Sequence, residues 1–88
     1  MYRRHAWERM ESRGISVSDI LQVLDSAEEI EQYREDTPFP SALLLARIGG
    51  RPLHVVAAFD VANQVTYIVT AYEPDPDEWD AEFRQRRT

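Results

Sequence analysis

The chain has 88 residues, of which 43% are hydrophobic and 30% are charged, and its formal net charge at pH 7 is −6. This length accommodates one domain with a single core over residues 1–88, and the absence of cysteine excludes disulfides, a thiolate zinc site and a cysteine nucleophile. Because no apolar run approaches the length of a membrane span and no secretory signal begins the chain, we expect a cytoplasmic protein with no membrane partner.

Charge is distributed unevenly along the chain. Residues 1–14 carry four arginines and two acids (+2), and residues 42–72 carry two arginines and one acid (+1), whereas residues 15–41 and 73–88 are acidic (−6 and −3). A net acidic protein binds phosphate poorly as a whole, but binding depends on local rather than total charge. Nucleic acid therefore remains a candidate partner of the first segment and the central region.

The first predicted element is an amphipathic helix over HAWERMESRG, residues 5–14. At 100° per residue, His5, Arg9 and Arg13 form a cationic stripe along one border of its apolar face. Gly14 suits the left-handed conformation that ends a helix. The stripe is typical either of solvated arginines at the edge of a core or of an anion-binding surface, and the helix alone does not decide between them.

A second helix is predicted over residues 16–26, beginning with a capping arrangement of Ser16 and Asp19. Its apolar positions recur at i, i+3, i+4 and i+7, which indicates a helix packed on the core. These positions are Val17, Ile20, Leu21 and Leu24. The acidic segment 28–34 then fits a short edge strand protected by charge, and the proline-containing segment 36–41 fits a loop.

Three apolar runs follow, SALLLARI, PLHVVAAF and QVTYIVTAY, and each is rich in residues that favour strands. Gly49-Gly50 and residues 60–63 separate these runs as hairpin turns, so the four strands are predicted to form an antiparallel sheet. A two-residue turn at Gly49-Gly50 places Leu45 opposite His54.

The C-terminal segment EPDPDEWDAEFRQRR is predicted to form a helix that starts with Asp75 as its N-cap. Trp79 and Phe83 share its inner face, and Glu82 and Arg86 have the spacing of a helical ion pair. The whole pattern predicts an α+β fold of two N-terminal helices, a four-stranded mainly antiparallel sheet and a C-terminal helix.

Polar residues of the helices and strands indicate chemistry on RNA. An imidazole in an apolar strand, as at His54, is either a core residue bonded to a backbone carbonyl or a group that opens to solvent. Its neighbour on the next strand is Thr70 or Ala71, depending on the length of the second turn.

Metal-independent RNA cleavage needs a base, an acid and guanidinium groups that hold the phosphate. Two histidines without short ligand spacing do not indicate a metal site. The candidate acid/base residues are His5, His54 and Tyr72, and the candidate substrate-binding residues are Arg9, Arg13, Arg51 and Thr70.

Motifs spread over nearly the whole chain resemble those of a family of small bacterial proteins of unknown function. They are H-x-x-x-R-M-x-x-R-G-I from His5, G-R-P-L-H-V-V from Gly50 and T-x-Y-x-P from Thr70, followed by Trp79. The resemblance implies a fold similar to that of the RelE, ParE and MqsR toxins. It also implies a neighbouring antitoxin gene, often of the zinc-finger MqsA type.

The resulting prediction is a toxin-like endoribonuclease of a type II toxin–antitoxin pair that uses no cofactor, with RNA as substrate and a zinc-finger antitoxin as partner. In this hypothesis His5 or His54 transfers protons, and Arg9 with Arg51 holds the phosphate. The alternative is a non-catalytic protein-binding module that uses the same fold. The acidic net charge departs from the basic character of ribosome-dependent RelE-like toxins and so argues against ribosome binding.

Overall fold

Two helices precede four strands in the computed structural model, which describes residues 1–87. The helices are α1 (Arg4–Ser12) and α2 (Val17–Ser26), and the strands are β1 (Glu28–Tyr33), β2 (Ser41–Ile48), β3 (Arg51–Asp60) and β4 (Val65–Tyr72). The predicted α+β class and these six elements are confirmed, with boundaries within two residues of those expected. Over the described residues, no helix has the length and hydropathy needed to cross a membrane.

The turn between the helices has the local chemistry that the sequence predicts. Gly14 has a φ of +65°, and the N–H groups of Gly14 and Ile15 donate to the last carbonyls of α1, which closes the helix with a Schellman motif. α2 begins with the predicted capping box. Ser16 Oγ accepts from the N–H of Asp19 at 3.0 Å, and the Asp19 carboxylate accepts from the N–H of Ser16 at 2.9 Å.

α2 buries a narrower face than its apolar repeat predicts. Of the four predicted core positions only Ile20 is buried, and Val23 is the other side chain of α2 that reaches the core. Val17, Leu21 and Leu24 are exposed, because α2 packs on β2 and β3 through one side only. The helix therefore keeps an apolar stripe on its outer side.

The strands form one antiparallel sheet in the order β1-β2-β3-β4. Gly49 and Gly50 both have positive φ, +61° and +80°, as a primed two-residue hairpin turn requires. Leu45 lies opposite His54, which confirms the predicted register of β2 and β3. Since this turn is local, its residues were sufficient to set that pairing.

The pairing of β3 with β4 is shifted by a bulge. The residue opposite His54 is Tyr72, so neither Thr70 nor Ala71 occupies that position. The bulge adds one unpaired residue to β4 and changes the register beyond it. It is this irregularity that brings the Tyr72 hydroxyl to the imidazole.

Side chains of the strands alternate between two faces of the sheet. One face, which we call the helix face, packs against α1 and α2 with a row of small and branched apolar side chains. They are Ala42, Leu44, Ala46, Leu53, Val55 and Ala57. The opposite face carries Leu43, Leu45 and His54, which are also buried. Residues 73–87, which we call the strap, cover this second face, and we refer to it as the strap face.

The predicted C-terminal helix is wrong. Residues 75–87 form turns, with one isolated antiparallel bridge between Trp79 and Arg86. The carboxylate of Asp80 accepts the backbone N–H groups of Glu82 and Arg84, and such local bonds compete with those of a helix. Phe83 has a φ of +61°, which lies outside the helical region.

The arginines of the strap pair with the edge strand rather than within a helix. Arg84 Nε lies 2.6 Å from the Glu28 carboxylate, and Arg86 Nε lies 3.1 Å from the Glu31 carboxylate. The expected pairing of Arg86 with Glu82 is therefore wrong. A short isolated helix is marginal in water, and here contacts with β1 and the buried Trp79 decide the conformation instead.

Candidate functional site

The imidazole of His54 is completely buried between β4 and the strap. Its Nε2 lies 2.9 Å from the carbonyl oxygen of Phe83, and its Nδ1 lies 3.2 Å from the hydroxyl of Tyr72. Because a carbonyl only accepts, Nε2 carries the proton and Nδ1 accepts from Tyr72. Burial lowers the pKa of His54 and raises the pKa of Tyr72, and both shifts favour this neutral pair.

Aromatic rings enclose the imidazole on the strap side. The Trp79 ring, itself buried, meets the His54 ring edge to face at 4.4 Å between centroids. The guanidinium of Arg86 lies over the outer side of the Trp79 ring at 4.6 Å from its centroid. The strap thus closes over His54 with an indole and then with a cation.

A carboxylate on β1 connects this cover to the sheet. Glu31 accepts from the hydroxyl of Tyr33 and from two nitrogens of Arg86. Burial by itself raises the pKa of Glu31, but the hydrogen bonds from Tyr33 and Arg86 outweigh it and hold the pKa below its ordinary value. Burial and the neighbouring carboxylate raise the pKa of Tyr33 to about 12. Glu31 is therefore an anion held by two donors.

The guanidinium groups of Arg13 and Arg51 bind backbone carbonyls. Arg13 donates to the carbonyl of Ala71 at 2.9 Å, and Arg51 donates to the carbonyls of Arg13 and Gly14 at 2.9 and 3.0 Å. Arg51 also pairs with Glu73 at 3.2 Å. These bonds fasten the end of α1 to β3 and β4, which is a structural use of both arginines.

A cavity of about 410 Å³ opens beside these arginines, with Tyr72 in its wall. Three carboxylates share that wall, from Glu73, Asp75 and Glu78. Such a lining neutralises Arg13 and Arg51 and gives a phosphate no preferred place to bind.

The remaining predicted site residues lie apart from this cluster. The side chain of His5 is 82% exposed on α1, with Nδ1 3.9 Å from the Glu8 carboxylate, and Arg9 is exposed one turn later. Among residues 1–87, no hydrogen bond or ion pair links His5 or Arg9 to His54. Thr70 pairs with Val56 in the sheet, and its buried hydroxyl has no hydrogen-bond partner in the described part of the chain.

A family described as "Domain of unknown function (DUF4258)" matches residues 2–73. The chain belongs to the DUF4258 family. Searches of the curated proteins and of the solved structures find no significant match. The membership agrees with the predicted resemblance to a family of unknown function, whereas a relation to the RelE, ParE and MqsR toxins is not shown and stays a prediction.

The DUF4258 match divides the candidate site. It contains the helices, the sheet and the His54–Tyr72 pair, and it ends at Glu73, where the strap begins. The groups that close over His54, Trp79 and the Phe83 carbonyl, lie beyond it. The residues that cover His54 therefore lie beyond the matched segment.

Sequence reasoning missed Glu31, Tyr33 and the Phe83 carbonyl as members of this cluster. The sequence could have predicted that Glu31 and Tyr33 are neighbours, since residues two apart on a strand share a face. A carboxylate on a partly buried face normally has a hydrogen-bond donor beside it. No sequence signal marks the carbonyl of Phe83, because any residue has a carbonyl and only the path of the strap places this one beside His54.

The helices carry a second candidate surface on the side that faces away from the sheet. Trp7 and Leu21 are 52% and 59% exposed, and Val17 and Leu24 are also exposed. Trp7 and Val17 line a cavity of about 290 Å³ between α1 and α2. We call these four side chains the outer helix surface.

Proposed function

We propose that this DUF4258 domain is a non-catalytic module that binds an amphipathic helix of a partner protein on its outer helix surface. The observation that carries the proposal is the exposure of Val17, Leu21 and Leu24 along α2, with the exposed Trp7 across a cavity that it lines together with Val17. Exposed apolar patches of this kind mark interaction sites on soluble domains.

The spacing of the outer helix surface suits a helical partner. Val17, Leu21 and Leu24 follow one another by four and three residues, so they form a single stripe along α2. The cavity beside Trp7 and Val17 offers a place for one large side chain of the partner. Recognition by a stripe and a pocket is the mode in which grooves bind amphipathic helices.

The charges around the stripe select the partner. α2 contains no basic residue, Asp25 lies beside the stripe, and Glu11 lies in the wall of the adjacent cavity. A second copy of this chain would bring these acids against one another. A partner helix with arginine or lysine beside its apolar face is complementary instead.

The test uses two synthetic amphipathic peptides with the same leucine positions, one with lysine and one with glutamate on the polar face. Amide chemical shifts of the isotope-labelled protein are followed during each titration. We expect the lysine peptide to shift residues of α2 and the glutamate peptide to have no effect. The double variant Leu21→Gln/Leu24→Gln loses this response, while Val61→Gln, which changes an exposed valine on the β3–β4 turn, keeps it.

Two results would reject this function. Equal chemical-shift changes with the lysine and glutamate peptides would show that charge does not select the partner. Chemical-shift changes confined to other residues would show that the outer helix surface is not the binding site. Self-association detected by sedimentation, lost in the double variant, would replace the helical partner with a second copy.

The second candidate function is the RNA-cleaving toxin, and the exposure of His5 beside Arg9 favours it. An exposed imidazole one helical turn from a guanidinium can take a 2′-hydroxyl proton while the arginine holds the phosphate. His54 takes part only where the strap is displaced, because its Nε2 donates to the carbonyl of Phe83 and its Nδ1 accepts from the hydroxyl of Tyr72. The antitoxin of the zinc-finger type is the partner that the resemblance implies.

Induced expression tests the toxin function. Growth arrest with RNA decay that His5→Ala abolishes is expected if the chain cleaves RNA through His5. His54→Ala serves as the comparison, because loss of activity in that variant must be checked against loss of folding by circular dichroism. Unchanged growth and intact RNA during strong expression would leave the binding module as the function.

A further inference from the structure

A cavity of about 430 Å³ lies where the N-terminus runs along the free edge of β4. Its lining includes two arginines, Arg3 and Arg4, the stacked aromatic pair of Phe39 and Tyr67, and Tyr2. No carboxylate is present in this lining, whereas the four other cavities described for residues 1–87 each contain at least one. The cavity is therefore suited to an anion that also carries flat apolar groups.

The aromatic rings are held in place by backbone pairing and by stacking. Phe39 and Tyr67 stack at 5.6 Å between centroids with an interplanar angle of 3°. Tyr2 is fixed to the sheet edge because the N–H of Arg3 and the carbonyl of Met1 both bond to the backbone of Ile68. The stacked side chains of Phe39 and Tyr67 are both half-buried, whereas the ring of Tyr2 packs edge to face against Trp7.

The two arginines beside the rings are exposed and loosely held. Arg3 forms no side-chain hydrogen bond or ion pair within residues 1–87, and Arg4 lies 3.5 Å from Glu8 with both side chains largely in water. This differs from Arg13 and Arg51, which are committed to backbone carbonyls. Arg3 and Arg4 are therefore free to bind phosphates from solvent.

We propose that this cavity binds single-stranded nucleic acid, with a base stacked on the Phe39–Tyr67 pair and the flanking phosphates on Arg3 and Arg4. Stacking platforms beside cationic side chains bind single strands in this way, because every base has a π-face and every linkage has a charge. A duplex keeps its bases stacked inside and does not present them to such a surface.

The site is independent of the outer helix surface and uses none of the residues that the sequence marks as an RNA site. Its two arginines belong to residues 1–14, a segment whose net charge is +2, in agreement with an anionic ligand. The protein-docking proposal and this one therefore stand or fall separately. Trp7, which contacts Tyr2, belongs to the outer helix surface and is left unchanged in the test.

The experiment measures fluorescence anisotropy of three labelled strands of about eight nucleotides, oligo-U, oligo-dT and an abasic strand, with the full-length protein at two salt concentrations. Oligo-U and oligo-dT are expected to bind and the abasic strand to bind at least about fivefold more weakly, since stacking is lost. Equal affinity for oligo-U and oligo-dT would show that the site binds both RNA and DNA. Tighter binding of oligo-U would show that the site prefers RNA through the 2′-hydroxyl.

Two double variants distinguish the contribution of aromatic stacking to binding from that of the arginine charges. Phe39→Leu/Tyr67→Leu keeps apolar volume and removes two π-faces, so we expect a loss of at least about fivefold for oligo-U and none for the abasic strand. Arg3→Gln/Arg4→Gln changes only exposed side chains and is expected to lower the salt slope by about 1.4. Arg34→Gln, after β1 at the other edge of the sheet, is the control and is expected to bind normally.

Three outcomes would overturn the assignment. The abasic strand could bind as tightly as oligo-U, which would make the contact purely electrostatic. Arg9→Gln could weaken binding as much as the Arg3/Arg4 pair, which would move the site to the α1 stripe. A proline-rich peptide could bind the cavity while the strands do not, which would make it a peptide groove. Amide shifts of the unaltered protein on adding oligo-U locate the contact even if the leucine variant does not fold.

Discussion

The two faces of the sheet are covered by different kinds of contact, although each contains completely buried side chains. On the helix face, Ile20 and Val23 of α2 meet Leu53 and Val55 of β3, and all four are completely buried apolar side chains. On the strap face, the central side chain is the imidazole of His54, and its cover is fastened by a carbonyl and by ion pairs at the rim. Apolar burial responds little to pH or salt, whereas the strap contacts respond to both.

This difference also follows the family boundary. The helix face lies wholly within the DUF4258 match, and the strap lies beyond it except for Glu73. The strap face is therefore the side of the family domain whose cover is supplied by another segment. Substitutions on one face at a time, with the free energy of unfolding as the measurement, show how far the two covers are independent.

A matched pair of leucines on adjacent strands gives the largest expected effect. Leu53→Ala removes a completely buried side chain from the helix face and is expected to cost about 2–5 kcal/mol of unfolding free energy. Leu43→Ala removes an equally buried side chain from the strap face and is expected to cost less, because the irregular strap can settle into the space. Urea unfolding of both variants measures the difference. Equal losses would mean that the two covers are equally rigid.

The strap face is expected to make stability depend on pH through His54. Burial lowers the pKa of the folded imidazole below its ordinary value of 6.5, so the unfolded chain takes up the proton first as the pH falls. The free energy of unfolding is therefore greatest above pH 6.5 and falls as the pH drops from there through the folded pKa. Unfolding midpoints in urea at several pH values would show this decline.

Two histidine variants test that assignment. His54→Gln is expected to remove the decline just below pH 6.5, while His5→Gln keeps it because the His5 imidazole is exposed on α1. A decline that persists in His54→Gln would assign it to another group. The pKa of Glu31 is also held below its ordinary value, so protonation of Glu31 lowers the free energy of unfolding as well, but at a lower pH.

The ion pair between Arg86 and Glu31 is expected to contribute less than about 1 kcal/mol to stability. The side chain of Arg86 is 60% exposed, so water and salt screen the interaction. A double-mutant cycle with Arg86→Gln and Glu31→Gln isolates the coupling. We expect it to shrink in about 1 M salt, and a coupling unchanged by salt would show that the pair is shielded from solvent by the strap.

The smallest effect on stability is expected on the outer helix surface. Leu21→Gln changes a side chain that faces water, so the free energy of unfolding should stay within about 0.5 kcal/mol of the parent value. Thermal unfolding measures it, with Ile20→Ala as the buried neighbour that should lose several times more. A large loss in Leu21→Gln would place that side chain in the core and remove it from the proposed docking surface.

Much of the fold was predictable because the deciding interactions lie within a few residues of one another. The Ser16–Asp19 capping box and the Gly14 turn are local and are confirmed. The Gly49-Gly50 turn set the register that places Leu45 opposite His54. The candidate site was less predictable, since the partners of Arg13 and Arg51 are backbone carbonyls, which no residue type signals.

The sequence by itself therefore determined the two helices, the antiparallel sheet and the pairing of β2 with β3, because caps, hairpin turns and apolar runs act over short stretches of chain. Only the tertiary structure decided which side of α2 faces the core, that Tyr72 lies opposite His54, and that the strap is not a helix. In each case the local sequence was compatible with more than one arrangement. Contacts between distant segments, above all the burial of Trp79 and the bond between His54 and Phe83, selected one of them.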